Sequence, residues 1–250
     1  MRISFQSVDR LTDTQLRHSI SLEPRAVHLW GIELDAPSQC FERCVAWLDE
    51  TERTRATRFV REQDRQQYVL THGGLRAILS RYLGVSPHEI SLMHTETGKP
   101  FVTSDGGARS AITFNLSHAR NRALIAVTTA QEVGVDLERV RAESDIAKLS
   151  ERYFTPSEHA VIIRATEEQR AMIFCRHWVA KEALLKAQGI GLQGLSDCEV
   201  LLGQEPFNGE TRVRLGPRFT EPLRLRLLSC GEGWEAAVAA QTLDFLKQGG

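Results

Sequence analysis

His177–Leu192 reads HWVAKEALLKAQGIGL, a helical run that stops at a glycine. Trp178, Glu182 and Lys186 stand four residues apart, so a helix stacks them on one face. The helix is expected from about Glu168 to Ala187, ending near Gly189. FTPSEHAVI precedes it, with Thr155 as N-cap, Pro156 at the first helical position and Glu158 where a capping box needs an acid. CEVLL, from Cys198, follows as a strand. The same order occurs earlier: RFVREQDRQQYVL from Arg58, a helix ending in RAILSRYLG at Gly84, then EISLM from Glu89. Chance similarity between amphipathic helices is the alternative explanation. If the repeat is genuine, the fold is α+β, with two similar α/β halves related by a pseudo-two-fold axis. The junction falls near Val133–Gly134, giving halves 1–133 and 134–250, and the cleft between them is the expected ligand site.

Outward from these stretches, residues 26–34, 111–116, 122–130 and 133–140 read as strands, as do 223–229 and 234–240. Residues 38–48 read as a helix. A longer helical pattern over 49–83 is expected to break at Gly73-Gly74 and to stop at Gly84.

The chain has 250 residues, 42% hydrophobic and 25% charged, which suits one large or two small globular domains. A net charge of −1 leaves no global excess for nucleic acid. No apolar run is long enough to span a bilayer. The opening MRISFQSVDR has no apolar core of a signal peptide. The five cysteines complete no zinc pattern and read as reduced thiols. A cytoplasmic protein without membrane or nucleic-acid partners is expected.

Four segments can carry chemistry. In VGVDLERV, Val133, Val135 and Leu137 face one way, and Gly134, Asp136 and Glu138 the other. The two acids suit a divalent cation shared with substrate phosphates; a strand with its acids facing water is the simpler reading of the strand alone. Glu182 and Lys186 read either as a surface pair worth about 0.3–0.5 kcal/mol or as an acid and a base beside that cation. FNLSHA ends a strand with Ser117 and His118, suited to a turn or to contact with phosphate or ribose. TGKPF lacks the first glycine of a P-loop and reads as a turn before a strand.

Taken in order, TGKPF, FNLSHA, GVDLE, FTPSE and W-x-x-KE-x-x-x-K resemble the 4′-phosphopantetheinyl transferases, specifically the larger, pseudo-dimeric Sfp type. The similarity runs from about Arg55 to Leu202. It implies transfer of 4′-phosphopantetheine from coenzyme A to a serine of an apo acyl or peptidyl carrier protein, with release of adenosine 3′,5′-bisphosphate. It implies Mg²⁺, or Mn²⁺ in its place, on Asp136, Glu138 and Glu182. Glu182 would also be the base and Lys186 the phosphate contact. Ser117, His118, Lys99 and Arg76 would lie on the coenzyme side, with His118 at the 3′-phosphate. A monomer is the family expectation.

The sequence departs from the pattern at Glu52, near which the family often has a basic residue for the 3′-phosphate. Arg53 or Arg55 is left to supply that charge, and Arg55 joins the expected coenzyme contacts. Leu137, between the metal acids, cannot ligate. Trp178 is expected to pack and to fix its helix. Glu158 stays outside the ligand set because its capping role explains it. The alternative activity is a Mg²⁺-dependent pyrophosphohydrolase acting on coenzyme A or a nucleotide; a carrier-binding module with a decayed site is a third reading.

Overall fold

A computed structural model describes residues 1–11, 19–104, 107–141, 145–203 and 209–244. In chain order the elements begin with β1 (Phe5–Ser7), α1 (Val8–Leu11), β2 (His28–Glu33), α2 (Ser38–Trp47), α3 (Glu50–Ala56) and α4 (Glu62–Leu83). There follow β3 (Ser91–His94), β4 (Pro100–Thr103), β5 (Ile112–Ala119), β6 (Arg122–Thr129) and β7 (Val133–Arg139). The rest are α5 (Ile146–Tyr153), α6 (Pro156–Arg164), α7 (Glu167–Gln188), β8 (Cys198–Val200), β9 (Val213–Leu215), β10 (Arg224–Ser229) and β11 (Trp234–Ala240).

One sheet has the order β1-β2-β6-β5 and a second the order β10-β11-β7. Side-chain alternation along the strands makes each sheet two-faced. Leu29, Leu124 and Ala126 of the first sheet meet Val133, Val135, Leu137, Ala236 and Val238 of the second in one buried core. The opposite face of the first sheet, with Ile32, Ala123, Ile125 and Val127, packs against α4 and α2. Ala237 and Ala239, on the opposite face of the second, pack against α7. The result is four layers, helix, sheet, sheet, helix, and the chain is mixed α and β.

The two sheets meet where β5 runs beside β7. Side chains rather than a backbone ladder join them: the Val135 N–H donates to Asn115 Oδ1 at 3.0 Å, and Ser117 Oγ donates to Asp136 at 2.8 Å. Gly134 makes the second join. A side chain there would run into the backbone of Ala183, Lys186 and Ala187, so glycine lets α7 lie directly on β7.

Both long helices have 22 residues, acids in the first turn and a left-handed glycine cap, Gly84 at φ 71° and Gly189 at φ 76°. The expected break at Gly73-Gly74 does not occur, and α4 runs through it. A Cβ at Gly73 would collide with Cys44 of α2, so this glycine serves close helix packing. Packing outweighs the propensity cost of about 1 kcal/mol. All five cysteines are buried and none is in a disulfide. Among the described residues no helix is long and apolar enough to cross a membrane. The expected strand over 111–116 extends to Ala119 and carries Ser117 and His118; β1 and β9 were not legible from the sequence.

Candidate functional site

A cleft of about 630 Å³ opens between α3 and α4 on one side and the last turns of α7 on the other. Its walls include Arg55, His72, Lys99, His118, Glu182 and Lys186. Beside it lies the acid cluster that β7 and α7 build. Asp136 is nearly buried. Its Oδ1 accepts from Lys186 Nζ at 2.6 Å and from Ser117 Oγ at 2.8 Å. Its Oδ2 is buried and, among the described residues, has no hydrogen-bond partner; the same holds for Glu182 Oε1. Burial, then Asp136, raises the Glu182 pKa to about 7; Lys186 opposes the shift and Glu138 adds to it.

Two orphaned carboxylate oxygens in a cluster of three acids are short of positive charge. Oxygen donors of this kind suit a hard divalent cation, so the donor set fits Mg²⁺ or Mn²⁺. Among the described residues no three such side chains stand at coordinating spacing. Glu138 also borders a smaller pocket of about 260 Å³ with Arg141, Leu149, Phe174, Cys175 and Trp178. Trp178 packs as expected, 6.0 Å from Phe174 and 6.1 Å from Tyr153 between ring centres.

His118 stands at the cleft, open to solvent but flanked by protein. Desolvation, then His72, Lys186 and Arg55, lowers its pKa below the usual imidazole value. Arg55, His72, His118 and Lys186 thus line one cleft as four basic side chains. Arg55 is exposed and lies over the Tyr68 ring, 5.5 Å from its centre.

Three of the expected coenzyme contacts have other partners. Arg76 is fully buried. Its Nε donates to Glu52 at 2.8 Å, one terminal nitrogen to Asp49 at 2.7 Å, and the other to the carbonyls of Pro87 and Ile90. The assignment of Arg76 to the nucleotide side is therefore corrected: its donors are spent on holding α3 and the segment before β3 to α4. Ser117 is buried and its hydroxyl orients Asp136, so it sits with the acids. Lys99 lines the cleft, but its ammonium bonds Glu132 at 2.6 Å and the carbonyls of Ala187 and Val133 at 3.0 and 3.2 Å. Only its stem is left to meet a ligand.

Lys181 repeats the Arg76 arrangement in α7. It stands as far from Glu167 as Arg76 does from Glu62, and it is fully buried. It bonds Glu158 at 2.6 Å and the Cys198 carbonyl. Glu52 and Glu158 are each the third residue of a capped helix and close its capping box. Glu158 thus serves both its helix end and the Lys181 ammonium. His72 is a cleft residue that the sequence reading did not single out. Its spacing from Tyr68 and Arg76, four residues on each side, was the available signal.

The sequence matches the profile described as 4′-phosphopantetheinyl transferase superfamily over residues 132–239. It also matches the one described as 4′-phosphopantetheinyl transferase, N-terminal, over residues 35–130. The chain is 39% identical over 184 residues to the 4′-phosphopantetheinyl transferase HetI of Nostoc sp., covering 74% of this chain and 77% of that protein. It is similar to a 4′-phosphopantetheinyl transferase of Bacillus subtilis, 27% identical over 221 residues, with 87% and 93% coverage. A phosphopantetheinyl transferase of Thraustochytrium sp. is 33% identical over 198 residues, with 73% and 68% coverage.

Proposed function

The chain belongs to the 4′-phosphopantetheinyl transferase family, and on that premise we propose that it moves 4′-phosphopantetheine from coenzyme A to a serine of an apo acyl or peptidyl carrier protein. The observation that carries this reading is the acid and lysine cluster at the cleft: Asp136 and Glu182, each with an orphaned buried oxygen, beside the Lys186 ammonium. Asp136, Glu138 and Glu182 would hold Mg²⁺ or Mn²⁺, which when bound neutralises the pyrophosphate charge.

In this reading coenzyme A lies in the cleft, with its nucleotide toward Arg55 and His118. The stem of Lys99 lines the same wall. Ser117 and Asn115 fix β5 to β7 and so set the position of Asp136. The carrier serine gives its proton to Glu182. Its oxygen forms a bond to the phosphorus next to pantetheine, and the bond from that phosphorus to the bridging oxygen breaks. Adenosine 3′,5′-bisphosphate leaves, with Lys186 meeting the charge on its departing oxygen. Positioning and electrostatics do most of the work, as in other phosphoryl transfers.

The same reading divides the chain into halves 1–133 and 134–250, related by a pseudo-two-fold axis. The repeated order of elements and the matched buried cations, Arg76 and Lys181, support that division. It also takes the enzyme as a cytoplasmic monomer.

The test is the intact mass of an apo carrier protein after incubation with this protein, coenzyme A and Mg²⁺, beside a chelator control. A gain of one phosphopantetheine on serine, lost with chelator, is expected. Consumption of coenzyme A with no gain on any carrier type would replace transfer by hydrolysis.

A further inference from the structure

Position 52 bears an acid where the resemblance calls for a cation, and its surroundings show what the acid does. Glu52 is almost buried at the cleft wall. One oxygen is taken by Arg76 and the capping N–H of Asp49. The other meets His72 Nδ1 at 2.8 Å. A carboxylate only accepts, so Nδ1 carries the hydrogen. The ring also packs against Tyr68, with centres 4.1 Å apart and planes tilted by 32°. A hydrogen bond and a ring contact together fix its orientation, so little freedom is lost when a ligand binds. Among the described residues no hydrogen bond uses Nε2. That leaves Nε2 as the ring atom for a ligand in the cleft, and a doubly protonated imidazole donates from both nitrogens. Arg55 lies over the same Tyr68 ring, and His118 lines the same cleft.

We propose that His72, oriented by Glu52, binds the 3′-phosphate of coenzyme A together with Arg55 and His118, supplying the cation that position 52 lacks. Glu52 is a positioning residue here: its charge is offset by Arg76 and His72, and it acts on the phosphate only through the imidazole. The ligand class is a phosphate monoester, a dianion that suits several charge-assisted donors converging from α3, α4 and β5. The assignment rests on coenzyme A occupying this cleft.

The experiment measures, by calorimetry, the affinity of the folded protein for coenzyme A and for 3′-dephospho-coenzyme A. Wild type is compared with His72→Ala, His72→Gln and Glu52→Gln, each checked by circular dichroism. His72→Gln keeps a donor toward Glu52 but cannot carry charge. Both His72 variants are expected to lose about tenfold or more of the preference for coenzyme A. Their affinity for the dephospho form should stay within about twofold. Glu52→Gln is expected to lose part of the same preference, which a purely structural role would leave unchanged. If wild type prefers coenzyme A and folded His72→Gln keeps that preference in full, the His72 assignment fails while the coenzyme cleft stands. If wild type binds both equally, or neither, the coenzyme reading of this cleft fails and takes the His72 assignment with it.

Discussion

Asp136 gives one oxygen to Lys186 and Ser117 and leaves the other unpaired in the protein interior. A stability role alone would have favoured pairing both, because an unpaired buried acceptor costs about 1–3 kcal/mol. Residues that break such a rule concentrate at sites built for chemistry. Asp136→Ala and Glu182→Gln should therefore each reduce carrier modification by at least about 10²-fold. The far-ultraviolet circular dichroism of both variants should match wild type. Lost ellipticity would make these acids structural and remove them from the metal site. The removal of metal is a separate check: chelation should stop transfer and re-addition of Mg²⁺ should restore it, read by intact mass of the carrier. In the sequence, the alternation of VGVDLERV already put Gly134, Asp136 and Glu138 on one face. It did not say that Ser117 would orient Asp136, because that contact joins two strands whose spacing the sequence leaves open.

At the scale of elements, the long helices are held by buried cations and capping acids. Lys181 and Glu158 are both fully buried. Removing one partner of such a pair strands the other, at about 3–5 kcal/mol. Lys181→Ala should lower the urea midpoint accordingly, with the loss spread over the whole cooperative transition. Glu52 gives this arrangement a pH signature. Burial pushes its pKa up, but His72, Arg76 and the Asp49 N–H outweigh that, and the carboxyl ends below its ordinary value of 4.5. A lowered acid contributes stability that is full above its unfolded pKa and drains away as pH falls through the folded value. Thermal unfolding of wild type and Glu52→Gln should therefore differ most above pH 4.5, and the gap should close as the solution is acidified further. A gap independent of pH would deny the ion pairs their part. Gly134 sets the distance between β7 and α7, since a methyl group would strike the backbone of Ala183, Lys186 and Ala187. Gly134→Ala should cost about 1–3 kcal/mol or more by overpacking, measured by urea unfolding. It should also cut transfer by moving Lys186 away from Asp136.

For the molecule as a whole, the site exists because two sheets and two long helices bring distant segments to one seam. Lys99 straps that seam by joining the turn before β4 to Glu132, Val133 and the end of α7. Desolvation lowers its pKa against the pull of Glu132, which marks an ammonium enclosed by its partners. Lys99→Met should weaken coenzyme A binding several-fold, about 1 kcal/mol, with little change in the preference for the 3′-phosphate. A loss confined to that preference would make Lys99 a phosphate ligand after all.

The sequence by itself determined the mixed α and β class, the capping box at Thr155, both glycine stops and the order of motifs that carries the family. These are local facts, fixed by periodicity, end chemistry and spacing along the chain. Tertiary structure decided how Gly73 and Gly74 are used, the partners of Arg76, Ser117 and Lys99, and the place of His72 in the cleft. A side chain's partner depends on which segments pack together. The same arginine or lysine reads alike in sequence whether its donors face a ligand or are already satisfied by a buried carboxylate and carbonyls from elsewhere in the chain.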